Sequence, residues 1–105
     1  MVNLSEKDNG RSVELKVGGV LEVTLPQNAS TGYHWAVDHV DDVVSLTASQ
    51  PIRPSSDAPG AGGGVSFTFR GEKPGAGAIA LKNARSWEGD SSVAGRFRVE
   101  VHVQP

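Results

Sequence analysis

Near its end the chain alternates without interruption: Phe97, Val99, Val101 and Val103 are separated by Arg96, Arg98, Glu100, His102 and Gln104. A strict period of two places every apolar side chain on one face of a strand and every charge on the other. A helix of this sequence would scatter both kinds around its whole circumference. The segment is therefore a strand lying on a core.

The same pattern recurs along the chain, broken by clusters of Gly, Pro, Asn and Asp. Val13, Leu15 and Val17 share a face, followed by Leu21, Val23 and Leu25, and then by Tyr33, Trp35 and Val37. Val44, Leu46 and Ala48 come next, then Val65, Phe67 and Phe69, and a run over 78–82 with Ile79 and Leu81 inward. About seven strands in 105 residues, with no amphipathic helix, predict an all-β fold. The expected architecture is an immunoglobulin-like antiparallel β-sandwich. One domain spans 1–105, a length that supports a single core. Residues 1–11 fall outside the alternation and are expected to form a loosely ordered N-terminal segment.

Gly18-Gly19 reads as a tight hairpin turn, and His39, Val40, Asp41 and Asp42 as a short acidic one. Gly71 to Gly75 makes a third turn. The connection over 49–64 exceeds the usual four to six residues, and loops of that length tend to be either functional or mobile.

Ten Lys and Arg against twelve Asp and Glu leave a net charge of −2, with the basic residues dispersed. That distribution excludes a nucleic-acid stripe or a polybasic membrane patch. There is no cysteine, hence no disulfide, thiolate chemistry or Cys-based zinc site. No apolar run approaches the roughly 20 residues of a membrane span. The polar start is not a secretory signal, so the chain either stays in the cytoplasm or has lost a signal by processing.

Enzymatic constellations find no support. His34 and His39 are five apart, on opposite faces of a regular strand, and His102 alternates outward. The glycine run lacks the Lys-Ser or Lys-Thr of a phosphate loop. No metal, cofactor or catalytic residue is expected.

The unusual residues lie on alternate connections, which in an antiparallel chain emerge at one pole. These are Asn28, Ala29, Ser30, Thr31, Gly32 and Tyr33; Gly60, Ala61, Gly62, Gly63 and Gly64; and Arg85, Ser86, Trp87, Glu88 and Gly89. Asn28, Ser30 and Thr31 can bond their own backbone, and Gly32 permits positive φ before the strand starts. A self-bonded loop is also what a pre-organised contact requires. The glycines are either a plain linker or a place where another backbone approaches closely. Trp87, among polar neighbours, either plugs the end of the sandwich or anchors a contact, with Arg85 as a hydrogen-bonding fork beside it. Trp35, alternating with Tyr33 and Val37, reads as core.

Taken in order, the three segments resemble the chagasin family of cysteine peptidase inhibitors. That family's first loop reads Asn-Pro-Thr-Thr-Gly-Tyr or Phe, matched by Asn28, Thr31, Gly32 and Tyr33, with Ala29 and Ser30 as replacements. Its second, Gly-x-Gly-Gly, is matched by Gly60, Gly62 and Gly63; its third, Arg-Pro-Trp, by Arg85 and Trp87 around Ser86. The resemblance implies a reversible, tight-binding, monomeric inhibitor of papain-like cysteine peptidases. It implies that Thr31 lies near the catalytic cysteine and histidine, the glycine loop on the non-primed side, and Trp87 with Arg85 on the primed side. Ala29 and Ser86 stand where the family has prolines, so these two loops are less pre-set in φ or are ordered by other means. The alternative is an immunoglobulin-like module that recognises another protein or a glycan through the same loops.

Overall fold

A computed structural model of the chain describes residues 2–27, 33–52, 63–85 and 95–105. Eight strands run in chain order: β1 (Val2–Leu4), β2 (Ser12–Lys16), β3 (Val20–Gln27), β4 (Tyr33–Val40), β5 (Val44–Ile52), β6 (Gly63–Gly71), β7 (Gly75–Arg85) and β8 (Gly95–Gln104). A 3₁₀ turn, Glu6–Asp8, lies between the first two. One sheet has the order β1-β3-β6-β5 and the other β2-β8-β7-β4. The expected sandwich is present. Its parallel pairs, β1 with β3 and β2 with β8, involve the N-terminal strands, and the remaining pairs are antiparallel. Alternation carries no information about strand direction.

The core is the meeting of two inner faces. Leu21, Val23 and Leu25 of β3 and Val65, Phe67 and Phe69 of β6 face Ile79 and Leu81 of β7 and Phe97, Val99, Val101 and Val103 of β8, all buried. Each such side chain contributes about 1.5–3 kcal/mol by leaving water, so these four strands dominate the stability.

The N-terminal segment departs from expectation. β1 lies beside β3 in register Val2↔Leu21 to Leu4↔Val23, and Leu4 is buried in the core. Further along, Gly10 N donates to Arg98 O (2.7 Å), Arg98 N to Asn9 Oδ1 (2.8 Å) and Glu100 N to Arg11 O (3.0 Å). These bonds fasten 9–11 to β8 and lead directly into β2. Alternation missed the segment because its strand is three residues long.

Gly18-Gly19 is not a hairpin. β2 and β3 belong to different sheets, and the turn carries the chain across the sandwich. Gly18 (φ 82°) donates to Gly71 O at 2.9 Å, and Gly71 N returns to Gly19 O at 3.0 Å. Val17, expected inward on the first strand, lies beyond β2 and is 45% exposed.

Two bulges break the assumed alternation. On β5 the register shifts between Leu46, opposite Phe69, and Ala48, opposite Thr68. Ala48 therefore faces away from Val44 and Leu46, and Leu46 itself is 44% exposed at the sheet edge. On β4 the shift lies between Val37 and His39. His34 and His39 pair with Ala84 and Ala80 of β7, so the bulge puts both on the outer face, contrary to the opposite faces of a regular strand. Strand bounds also differ from expectation. β5 continues to Ile52 and β6 starts at Gly63, which shortens the 49–64 connection to 53–62, and β7 starts at Gly75 rather than near Ala78.

The acidic turn begins two residues later than the sequence suggested, at Asp41 and not His39, because β4 runs through Val40. Asp41 clamps it to β7: Asp41 N donates to Ala78 O (3.1 Å) and Ala78 N to Asp41 Oδ2 (2.8 Å). His39 Nε2 lies 2.7 Å from Asp41 Oδ1, so His39 has a partner. The Ala78 amide, and secondarily His39, hold the Asp41 carboxyl below its ordinary 3.8. A Cβ at Gly77 would sit 2.7 Å from both Asp41 Cβ and Val43 Cγ2.

Gly77→Ala should therefore lower stability by about 1–3 kcal/mol through forced displacement of this turn, measured by urea unfolding. The lowered pKa of Asp41 fixes the sign of a second effect. Its contribution is complete above the ordinary carboxylate pKa and disappears as pH falls through the depressed folded value. The gap in thermal midpoint between wild type and Asp41→Ala should thus be full at neutral pH and shrink below about pH 4. A gap that widens in acid would contradict the assignment.

Candidate functional site

The ends of six strands meet at one pole. In the first sheet Gln27, the last residue of β3, pairs with Gly63, the first of β6, while Pro26 and Ile52 flank Gly64. In the second, Tyr33, the first residue of β4, pairs with Arg85, the last of β7. Asn83 lies between Trp35 and Gly95, where β8 begins. Segments 28–32, 53–62 and 86–94 thus leave from neighbouring stems.

A single bond shows that both sheets contribute to the same pole. The Trp35 indole N–H of β4 donates to the Pro26 carbonyl of β3 at 2.9 Å. The ring is half-buried against the end of the core. Its six-membered edge extends toward β8, where a Cβ at Gly95 would meet Cη2 at 3.5 Å. Beside it, Asn83 Oδ1 is sealed from solvent and meets no hydrogen-bond donor among the described residues. A buried acceptor without a partner is costly and uncommon, and in native proteins such groups mark sites kept for another reason.

Of the residues singled out from the sequence, Tyr33, Gly63 and Arg85 lie at these stems. Asn28, Ala29, Ser30, Thr31, Gly32, Gly60, Ala61, Gly62, Ser86 and Trp87 lie outside the described residues. Sequence reasoning missed Pro26, Asn83 and Gly95, and favoured a core role for Trp35 over a functional one. One signal was available for Trp35: an indole that is not fully exposed needs an acceptor for its N–H, and a strand end is where a free carbonyl is found.

Below the pole, the outer face of the second sheet is polar. Lys82 and Arg96 are cross-strand neighbours, and Asp38, at the bulge, lies 3.7 Å from each. Such exposed pairs contribute little to stability. Among the described residues no three His, Asp or Glu side chains are grouped to hold a metal.

The model of the chagasin family of peptidase inhibitors matches residues 14–101. The chain belongs to this family. It is an inhibitor of cysteine peptidases and not an enzyme. It is 28% identical to chagasin of Trypanosoma cruzi over 101 residues, covering 91% of this chain and 92% of that one. Its fold is similar to the crystal structure of the cysteine protease inhibitor EhICP2 from Entamoeba histolytica, with a TM-score of 0.87 at 21% identity over 98% and 95% of the two chains. It is also similar to PbICP-C, whose structure is a complex with falcipain-2, with a TM-score of 0.72 at 20% identity over 99% and 100%.

Proposed function

We propose that this family member blocks papain-like cysteine peptidases by filling the active-site cleft with segments 28–32, 53–62 and 86–94 together. The observation that carries this reading is the meeting of all three pairs of stems at one pole, joined across the sandwich by Trp35 and Pro26. The three segments leave from strands fixed in two packed sheets, and preorganised bases are where affinity is gained without added area. The complex of PbICP-C with falcipain-2 supports the same use of this fold.

In this reading the five-residue segment 28–32 enters the cleft, with Thr31 nearest the catalytic cysteine and histidine and Gly32 allowing close approach. Gly60, Ala61, Gly62 and Gly63 lie along the non-primed side as backbone. Trp87, with Arg85 and Ser86, covers the primed side as the anchoring aromatic. An area of about 800 Å² per partner is the standard size for such a contact. No bond of the inhibitor is offered to the nucleophile at attacking distance, so the complex persists.

Titration of papain with the purified protein tests this directly: activity should fall to zero at one inhibitor per active site. Trp87→Ala should weaken binding by about 2 kcal/mol or more. Thr31→Ala, or a bulky residue at Gly32, should also weaken it, with the thermal midpoint nearly unchanged. Unaltered inhibition constants in all three variants would reject the rim as the contact surface.

A further inference from the structure

We propose that Trp35 is a positioning residue for inhibition: its indole N–H holds the base of segment 28–32 so that a peptidase binds the segment without cutting it. The inference rests on the proposed contact rim and says what keeps that rim from being a substrate. Pro26 stands two residues before the segment and Trp35 three residues after it, so their 2.9 Å hydrogen bond joins both shoulders of one short loop. Those shoulders belong to different sheets. Neither sheet's ladder pairs β3 with β4, and the indole hydrogen bond joins them here. Its far edge reaches Gly95, the start of β8, so one ring registers the bases of segments 28–32 and 86–94 against each other.

Two further features converge on the same place. Proline is absent at 29 and 86, so no ring fixes φ at these positions and restraint would have to come from elsewhere, such as the base. Asn83, in the same cross-strand row as Trp35 and Gly95, keeps a sealed acceptor without a donor among the described residues. Among the described residues the buried side-chain acceptor without a partner lies at this pole, as expected beneath a functional surface.

The consequence is chemical. Cleavage requires a thiolate sulfur within about 3–3.5 Å of a carbonyl carbon along the correct line, and a misplacement of about 1 Å changes the rate on the order of a hundredfold. With the indole bond gone, the shoulders of 28–32 can part and let a carbonyl in the segment reach that line. The peptidase thiolate then adds to the carbonyl, the C–N bond breaks, and the new amine leaves with a proton. Water hydrolyses the resulting thioester, which returns the thiol and leaves a carboxylate on the inhibitor. The variant becomes a slow substrate.

Trp35→Phe keeps an aromatic ring and deletes the N–H. Its inhibition constant against papain should rise about tenfold, the value of one hydrogen bond. Mass spectrometry after prolonged incubation should find two fragments, cut within 28–32, that together exceed the parent by one water. Wild type should remain whole. Val103→Ala, at the opposite pole, serves as the control for general destabilisation and should stay both potent and uncut. Unchanged potency with no cleavage in Trp35→Phe, or equal damage in Val103→Ala, would overturn the proposal. Hydrogen exchange of the Trp35 indole in the wild-type protein decides the matter even if the variant does not fold. Slow exchange is expected, and exchange as fast as in free tryptophan would refute the bond. Failure of the rim itself is separable: Thr31→Ala and Trp87→Ala would then have no effect, whereas failure of positioning alone leaves those two damaging.

Discussion

Phe69 and Phe97 sit on opposite sheets and are almost wholly buried, a state they reach only if the two inner faces close on each other. The remaining architecture follows from that requirement. The three crossings between sheets at one end are short, at 17–19, 41–43 and 72–74, while the longest connections, 53–62 and 86–94, join strands of a single sheet at the other. Burial of nonpolar surface supplies the energy, and the crossings supply the alignment.

The two poles consequently differ in kind. At one, the turns at 17–19, 41–43 and 72–74 bond to each other: Gly18 to Gly71, Gly71 to Gly19, and Glu72 to Val43. Lys73 adds an ion pair with Asp42, and Ser45 a hydrogen bond to Glu72. At the other pole the strands end in the stems of the proposed contact segments, and the indole of Trp35 takes over the bridging performed elsewhere by backbone. A rigid base beneath a displayed edge is the arrangement a competitive protein inhibitor needs, because ordering that is already complete need not be done on binding.

Much of this was legible in the residues, and the reasons for the exceptions are physical. β3, β6 and β8 alternate cleanly because each is central and packed on one face, and their predicted inward residues are the buried ones. β4 and β5 read as regular because a bulge leaves little mark in composition: Thr47 is an ordinary strand residue, and Asp38, though of a type depleted in strands, falls on a polar position of the alternation. Gly18-Gly19 has the chemistry of a hairpin, but turn chemistry is local, and whether a strand pairs with its predecessor or crosses to the other sheet is decided by packing. That the stems of the three loops share one pole was legible from their order. The role of Trp35 was not, since a partner nine positions away in sequence and on the other sheet cannot be inferred from alternation.

The bulges themselves have a consequence for a protein that meets proteolytic enzymes at close range. β4 and β5 are outer strands, each at the end of its sheet's strand order. Peptidases take substrates as extended backbone, and aggregating chains add to sheets in the same way. A register shift in each of these strands, together with Pro51 on β5, interrupts the row of donors and acceptors that either kind of guest would need. These two edges are thereby made poor templates for an added strand, whereas the proposed contact rim lies at the pole where β5 ends and β4 begins.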